Sequence, residues 1–253
     1  MWISNLARWA IGALLVAASP ALARAASAPQ PALVIAYHTT PGNWLPFRKA
    51  MTNDTLPRLR ALSKQGVLSG FHVLFSRDVD SAGWNALAVL VFAGRDGETR
   101  WSALARTTPA ALTAKDLALT TAIESTPIEM VRDGAAVEGA HHPVFLAIPY
   151  RYLVEDDAYL KYLDGYTIPQ LKGWIDAGIL AHYDIAMARY PGDRPWNAML
   201  LLEYGSDAAL AKRDAVKTRV RAKLAHDPAW KAASENKFHI RDELSLTVAD
   251  EAQ

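Results

Sequence analysis

Three ionisable side chains, His72, His182 and Asp184, occupy comparable places in two strand-like segments of this sequence. They alternate with bulky apolar residues, so each predicted strand would carry them on its smaller, partly polar face. Near neutral pH a histidine can act as an acid or a base, or it can ligate a metal. If that face lines an enclosed space, the three side chains would converge in a pocket. The alternative is that they lie at the rim of a sheet, solvated or hydrogen-bonded.

Three further residues are candidates for the wall of such a pocket. Trp84 and Trp196 each open a long apolar segment and could supply aromatic surface, although tryptophans in such places commonly pack at the end of a sheet. His38 follows the first predicted strand, Ala32 to Tyr37. The candidate ligand-binding residues are therefore His72, His182, Asp184, His38, Trp84 and Trp196.

Two pairs of polar residues recur at matching places: Arg77 with Arg189, and Asn85 with Asn197. A structural role is favoured for them, because polar residues beside turns commonly satisfy local backbone groups. The alternative for the arginines is bidentate binding of a carboxylate. No H-E-x-x-H, G-x-S-x-G, P-loop or G-x-G-x-x-G pattern occurs in the chain. The catalytic residues are therefore left unknown, and no metal site is predicted.

These residues belong to a stretch that the chain contains twice. Residues 55–92 align with residues 167–204 without a gap, at an offset of 112, and ten of the 38 aligned positions are identical. The identities include the tripeptide Trp-Asn-Ala that begins at Trp84 and at Trp196. Chance rarely keeps one register over that length, so the chain reads as two copies of one unit.

Each copy predicts the element order β-α-β-β-α-β. The first helix begins at a capping Thr55 and ends at Gly66, and its copy runs from Thr167 to Gly178. The next two strands of each copy are predicted over 67–77 and 84–92, and over 179–188 and 196–204. The second helix is predicted over 110–123, after a turn at 94–97, and over 207–226. The closing strands are predicted over 128–132 and 238–248.

This order and the duplication resemble the dimeric α/β-barrel superfamily, in which two ferredoxin-like sheets pack face to face. The fold class expected is therefore α+β: two ferredoxin-like β-α-β-β-α-β units that form an intramolecular dimeric α/β barrel. The resemblance implies a site for a small apolar or aromatic ligand, inside the barrel or in a cleft between sheet and helices. The superfamily includes cofactor-independent monooxygenases, lactone isomerases and haem-binding or haem-degrading enzymes. No catalytic set of any one family transfers to this chain.

Residues 1–25 carry the pattern of a secretory signal peptide: a basic start, an apolar run, and Ala-Arg-Ala at the predicted cleavage site. The predicted domains are 32–133 and 143–249, and the predicted location is periplasmic or secreted. Cleavage would remove Arg8 and Arg24 and no acidic residue, which changes the net charge from +1 to −1. A nearly neutral chain has no global field for nucleic acid or anionic lipid, so neither partner is expected. The absence of cysteine excludes disulfides and thiolate chemistry.

The leading hypothesis is an exported barrel protein that holds a small apolar or aromatic molecule between its two sheets. It would act on that molecule as a cofactor-independent oxygenase, isomerase or lyase, or it would only bind it. The alternatives are a non-catalytic structural or interaction module and a haem- or metal-binding protein. No cofactor is predicted, with haem left as an open alternative. A monomer is expected, because a fused pair of units can complete a barrel alone.

Overall fold

The computed structural model describes residues 30–137, 139–140 and 142–252. The predicted signal peptide lies outside these residues. No helix in the described part is both long enough and apolar enough to cross a membrane. The strands are β1 (Gln30–Thr39), β2 (Leu68–Ser76), β3 (Ala86–Phe92), β4 (Thr120–Ala135), β5 (Val144–Tyr152), β6 (Leu180–Ala188), β7 (Ala198–Tyr204), β8 (Arg241–Glu243) and β9 (Thr247–Glu251).

The helices form one layer on each half of the chain. They are α1 (Trp44–Ala50), α2 (Leu56–Lys64), α3 (Gly94–Ala105), α4 (Ala114–Leu117), α5 (Asp156–Tyr162), α6 (Ile168–Asp176), α7 (Asp207–Ala211), α8 (Arg213–Leu224) and α9 (Pro228–Ile240). One π-helical turn, Met51–Thr55, joins α1 to α2, and another, Leu163–Thr167, joins α5 to α6.

The prediction that Thr55 caps the start of a helix is wrong, and so is its counterpart at Thr167. Both residues have helical backbone angles and lie inside a longer helical run, where neither side chain caps a helix. Pro57 and Pro169 follow a π-turn, whose altered hydrogen bonding accommodates the missing N–H. The predicted helix ends are confirmed: Gly66 and Gly178 have φ of +68° and +71°, a conformation that favours glycine.

Eight antiparallel strands close into a barrel. The strand order is β7-β6-β4-β1-β3-β2-β9-β5, and β5 also pairs with β7, which completes the ring. β8 lies beside the far end of β5, so β8 and β9 together follow one edge of that strand. The fold class is therefore α+β with a closed barrel, as the sequence predicted.

Two seams join the first half of the chain to the second. At one seam β4 pairs with β6 over Ile128–Ala135, with a register shift between Met130 and Arg132. At the other, β2 pairs with β9 over only Leu74–Ser76. The second seam is the shorter one.

Three predictions differ from the structure: the helix over 110–123, the turn at 94–97 and the start of the strand over 238–248. The segment 110–123 is not a helix: α4 covers only Ala114–Leu117, and β4 begins at Thr120. The helix lies instead at α3, where a turn was expected. Gly94 has a φ of +72°, which glycine adopts readily, and the chain continues from it as a helix to Ala105. Residues 238–240 belong to α9, whose N-terminus is capped by Asp227 and followed by Pro228.

The apolar side chains form three clusters. Two lie between a sheet and its helices, and the third fills the barrel interior with residues such as Val34, Leu74, Phe145, Ala186 and Leu201. The bulky faces of β2 and β6 therefore meet the helices, and the smaller faces line the barrel. This is the orientation in which the predicted ionisable residues point inward.

A row of stacked rings runs through the helix layer of the second half. Tyr152, Tyr159, Tyr162, Tyr166 and Trp230 follow one another at centroid distances of 4.4, 6.1, 5.0 and 5.2 Å. The Trp230 indole donates to the carbonyl oxygen of Tyr166 over 3.1 Å. The row fixes the position of each ring against its neighbours.

Candidate functional site

One cavity, of about 260 Å³, lies inside the barrel, at one end of its strands. We call it the barrel-mouth pocket. Its polar lining comes from His38, Glu124 and Thr126, and the prolines Pro149 and Pro195 form part of its rim. Its apolar lining residues are Val34, Ala36, Ala82, Trp84, Leu87, Trp196, Met199 and Leu244.

The two tryptophans of the repeat meet in this pocket. Trp84 is 5% exposed and Trp196 is 8% exposed, and each is separated by one asparagine from the central strand of its half. The barrel brings together two residues that are 112 positions apart in the sequence. Three of the six predicted ligand-binding residues, His38, Trp84 and Trp196, therefore share one cavity.

The asparagine after each tryptophan holds this part of the chain in place. Asn85 accepts from the backbone N–H of Thr39 over 2.8 Å and donates to the carbonyl oxygen of Val79 over 3.0 Å. Asn197 accepts from the N–H of Tyr152 over 2.8 Å and donates to the carbonyl oxygen of the same residue over 3.1 Å. These bonds tie the start of each central strand to the end of its neighbour, which supports the structural role predicted for both residues.

His38, which lines the pocket, carries a polar atom that the protein leaves without a partner among the described residues. Its Nε2 is buried and has no hydrogen-bond partner among the described residues. Glu124 Oε1 lies 3.8 Å from it, beyond hydrogen-bond range. Buried polar atoms are nearly always hydrogen-bonded, so an unpartnered one inside a cavity marks a place where a ligand group can bind.

The other three predicted residues lie elsewhere in the barrel interior. His72 Nδ1 is 2.7 Å from Glu251 Oε1, and His182 Nδ1 is 3.5 Å from Asp184 Oδ2. We call these four residues and Glu203 the ionisable cluster. Glu203 pairs with both His182 and Phe145 in the sheet, and the His72 ring lies 5.3 Å from the ring of Phe145.

The cluster changes the proton affinity of its members. Burial opposes the charged form of His72, but the hydrogen bond and charge of Glu251, helped by Asp184 and Glu203, outweigh it and raise its pKa. Burial raises the pKa of Asp184 and of Glu203, against the opposing charges of His182 and His72. All three groups therefore bind a proton more readily in the folded chain than in the unfolded one.

The pocket and the ionisable cluster are separate sites. Met199 of the pocket lies near the start of β7, whereas Glu203 of the cluster lies near its end. The six predicted residues therefore fall into two groups of three. No group of three or more metal-ligating side chains occurs in the described part of the chain.

Sequence reasoning missed several residues of both sites. Glu124 and Thr126 lie on β4, in a segment that was expected to begin only at 128. Glu251 was missed because nothing in the sequence shows that β9 pairs with β2. Glu203 had a signal, since it is the one charged residue in the apolar segment 196–204.

The repeated arginines connect the two halves. Arg77 pairs with Asp207 over 2.5 Å and with Asp250 over 2.7 Å. Arg189 pairs with Glu98 and donates its backbone N–H to the carbonyl oxygen of Pro127 over 2.9 Å. These contacts support a structural role, but at the seams of the barrel rather than within a local hairpin.

A larger cleft, of about 480 Å³, lies outside the barrel between β5, β7 and the helices of the second half. We call it the sheet–helix cleft. Its lining includes the aromatic residues Tyr150, Tyr166, Trp174 and Phe238, and none of the described histidines.

The structure is similar to solved structures of low sequence identity. An anthrone oxidase-like protein matches with a TM-score of 0.55 at 12% identity, over 89% of this chain and 92% of that one. A candidate monooxygenase from Lactobacillus acidophilus matches with a TM-score of 0.51 at 12% identity, over 88% and 95%. A heme-binding protein from Thermus thermophilus matches with a TM-score of 0.51 at 10% identity, over 88% and 92%.

At these identities the matches show the fold alone. No protein-family model matches the chain, and no curated protein matches it significantly. The closed barrel and these neighbours agree with the resemblance drawn from the sequence. The chain therefore has the dimeric α/β-barrel fold, with no particular family within it assigned.

Proposed function

We propose that this protein binds a small apolar or aromatic molecule in the barrel-mouth pocket, between its two sheets. The observation that carries the proposal is the buried, unpartnered Nε2 of His38 in a cavity walled by Trp84 and Trp196. Ligand sites are typically apolar cavities with a few convergent polar groups, and this pocket has that composition.

The volume sets the size of the ligand. At about 260 Å³ the pocket is below the range of roughly 300–1,000 Å³ typical of sites for drug-sized molecules. It suits one or two fused rings, with a hydroxyl directed at His38 Nε2 and the ring against an indole. A phenol or naphthol has this shape.

His38 supplies the chemistry that the pocket can perform. A neutral imidazole can accept the proton of a ring hydroxyl or of an acidic C–H, which is the first step of many isomerase, lyase and oxygenase reactions. Glu124 Oε1 lies 3.8 Å from Nε2 of this imidazole. Two similar structures are described as an anthrone oxidase-like protein and a candidate monooxygenase, so oxygenation of an aromatic substrate is the activity to test first.

Binding can be measured by titrating the protein with a naphthol and with the parent naphthalene, using the quenching of tryptophan fluorescence. We expect the naphthol to bind more tightly than naphthalene. His38→Leu should weaken naphthol binding about tenfold, because one hydrogen bond to a buried group is lost. The matched control is His72→Leu, which makes the same change in the ionisable cluster. Equal naphthol affinity in all three proteins would rule the proposal out.

Haem is the second candidate ligand, because one similar structure is a heme-binding protein. The chain fits it poorly. The barrel-mouth pocket contains His38 but has about half the volume of the sheet–helix cleft, and none of the histidines that the structure describes lines that cleft. Its Tyr150 has a raised pKa because of burial, which disfavours the phenolate that would bind iron. A Soret band with histidine-ligated character in protein from its own source would favour haem over the aromatic ligand.

The remaining alternative is a structural or interaction module. Mass spectrometry of protein purified from its own source tests this alternative. A bound organic molecule would favour the binding hypothesis over a structural or interaction module. We also propose that the protein is monomeric, and sedimentation showing a tight dimer would contradict that.

We further propose that the barrel consists of two ferredoxin-like units, residues 32–133 and 143–249. The strand orders support this: β4-β1-β3-β2 in the first unit corresponds to the order of β8/β9, β5, β7 and β6 in the second. Export to the periplasm or beyond stays a proposal that rests on residues 1–25. N-terminal sequencing of the mature protein tests it, and a chain that retains Met1 in the cytoplasm would contradict it.

A further inference from the structure

Much of the lining of the barrel-mouth pocket comes from equivalent residues of the two halves. The offset of 112 relates three pairs of lining residues, and a fourth pair follows from the sheet register, in which each member lies opposite equivalent residues of the central strands. The four pairs are Gly83 and Pro195, Trp84 and Trp196, Leu87 and Met199, and Ala36 and Pro149. The pocket therefore lies where the two copies face each other.

The asparagine of the repeat makes the same two backbone contacts in each half. Asn85 donates its backbone N–H to the carbonyl oxygen of Tyr37 over 2.9 Å, and its side chain accepts from the N–H of Thr39 over 2.8 Å. In the second half the corresponding partners are Tyr150, over 3.0 Å, and Tyr152, over 2.8 Å. Each pair of bonds therefore encloses one residue at the end of a strand.

The enclosed residues are His38 in the first half and Arg151 in the second, and they lie on opposite sides of the barrel. β1 carries His38 and β5 carries Arg151. In the closed ring, four strand-to-strand steps separate β1 from β5 in either direction. The pocket thus has a histidine on one side of its mouth and an arginine at the equivalent place across from it.

The Arg151 guanidinium lies at the rim of the pocket. Arg151 is exposed, and its Nη2 donates to the carbonyl oxygen of Pro195, a lining residue, over 2.8 Å. Asp242 lies opposite Arg151 on β8, yet no carboxylate of the described residues is within salt-bridge distance of the guanidinium. Its charge and its remaining N–H groups are therefore available to a ligand.

The two sides of the pocket differ in charge. Glu124 lies beside β1 and lines the pocket near His38, whereas Leu244 takes the equivalent place beside β5. The Glu124 carboxylate repels an anionic group from the His38 side, and Arg151 attracts one to its own side. This difference favours one orientation for a ligand that has a hydroxyl at one end and an anionic group at the other.

We propose that the ligand of the barrel-mouth pocket is a hydroxylated aromatic carboxylate, and that Arg151 is the residue that selects its carboxylate. The inference rests on the proposed function, in which the hydroxyl meets His38 Nε2 and the rings lie against Trp84 and Trp196. Arginine binds carboxylates through charge-assisted and often bidentate hydrogen bonds. The bond to Pro195 holds the guanidinium at the rim, where it meets the end of the ligand farthest from His38.

Three probes with the same two fused rings test this in calorimetric titrations at neutral pH. One is a naphthol, and the second is a hydroxynaphthoate whose hydroxyl and carboxylate lie at opposite ends of the long axis. The third is the isomer with both groups on adjacent carbons. We expect the end-to-end isomer to bind about tenfold more tightly than the naphthol, through one charge-assisted contact. The adjacent isomer should lack this gain, because it cannot reach both residues.

Arg151→Gln should remove the advantage of the end-to-end isomer and change naphthol affinity by less than about threefold. The matched control is Arg194→Gln. Arg194 precedes Pro195, but its Nε lies 3.2 Å from Asp193 Oδ1, so its loss should leave both affinities unchanged.

The assignment of Arg151 is overturned if the end-to-end isomer binds no more tightly than the naphthol. It is also overturned if Arg151→Gln leaves that isomer's affinity intact, or if Arg194→Gln weakens it equally. Naphthol binding that depends on His38, without any gain from the carboxylate, would contradict this inference and leave the proposed function standing. If none of the three probes binds, both are wrong.

Discussion

Arg189 and Glu98 form an ion pair that joins the second half of the barrel to the first. Arg77, the copy of Arg189, makes the reciprocal connection to Asp207 in the second half. Glu98 lies in α3 and Asp207 in α7, the helices that follow the central strands of the two halves. Each repeated arginine therefore reaches the equivalent helix of the opposite half, and this explains why both copies keep it.

The Arg189–Glu98 pair should contribute measurably to stability. Arg189 is 14% exposed and Glu98 is 19% exposed, so water screens the pair less than a surface pair. We expect Arg189→Ala to lower the free energy of unfolding by about 1–2 kcal/mol, less than for a fully buried pair because Arg95 remains beside Glu98. Urea unfolding measures the difference.

The matched control for this pair is Arg95→Ala, which removes the other cation bound to Glu98. Arg95 is 63% exposed, so its loss should change the free energy of unfolding by less than about 0.5 kcal/mol. A larger effect of Arg95→Ala than of Arg189→Ala would show that the pair across the seam is not the stabilising one.

The ionisable cluster should make stability depend on pH. Because the folded-state pKa of His72 is raised, the stabilisation is complete below its unfolded pKa of about 6.5 and is lost as pH rises through the folded value. The raised pKa values of Asp184 and Glu203 act in the same direction. We expect His72→Gln to cost about 1 kcal/mol at pH 5.5 and distinctly less at pH 9, in urea unfolding at both pH values.

Glu251→Gln provides the check on that assignment. It removes the carboxylate that hydrogen-bonds His72 and should reduce the pH dependence by a similar amount. If the His72→Gln effect is the same at both pH values, the imidazolium–carboxylate contact does not contribute as described.

Gly97 should not tolerate a side chain. A Cβ placed there would lie 2.3 Å from the carbonyl oxygen of Val67, a backbone atom that cannot move aside cheaply. Gly97→Ala should therefore destabilise the protein by about 1–3 kcal/mol, although alanine favours helix formation. Thermal unfolding gives the sign directly.

Gly165 is the matched control for that change. It also lies in a helical segment, but no atom of the described residues outside its own helical turn lies within 4 Å of the position its Cβ would take. Gly165→Ala should stabilise the protein by about 0.5–1 kcal/mol. Two Gly→Ala changes of the same sign would contradict the packing argument for Gly97.

Asn85 should stabilise the first half through its two hydrogen bonds to the backbone. Replacing it with alanine leaves the Thr39 N–H and the Val79 carbonyl without their partners. Asn85 is 6% exposed, so we expect Asn85→Ala to cost about 2 kcal/mol in urea unfolding. Asn85→Asp keeps one acceptor, and it should recover part of that loss if the bond to Thr39 matters.

Much of the architecture could be predicted from the sequence, because the duplication repeats the signals for its helices and strands. Gly66 and Gly178 marked the helix ends, and the Trp-Asn-Ala tripeptide marked the two central strands. The prediction was wrong at α3, where Gly94 and Gly97 suggested a turn. Gly94 starts the helix, and Gly97 lets the helix pack closely against the backbone of Val67. Local sequence does not reveal a close approach by a distant backbone.

The candidate site was only partly predictable for the same reason. The alternation of bulky and smaller residues along the strands placed His72, His182 and Asp184 on the inner face. Trp84 and Trp196, which the repeat relates to each other, both line the barrel-mouth pocket. The sequence could not show that His38 lies beside Glu124, or that His72 lies beside Glu251, because strand pairing between distant segments decides both contacts. The sheet–helix cleft was not predicted, because the lysine- and arginine-rich helix that lines it has the sequence pattern of a solvent-exposed helix.

The short seam between β2 and β9 has a consequence for how the molecule assembles. It joins residues far apart in the chain, as in the pair of Arg77 with Asp250, which are 173 positions apart. Contacts of such long range form slowly, because a large loop must close before any bond is gained. Ring closure should therefore be a late step in folding. Until β9 pairs with β2 and β5, the barrel is open along that seam and its apolar interior faces water.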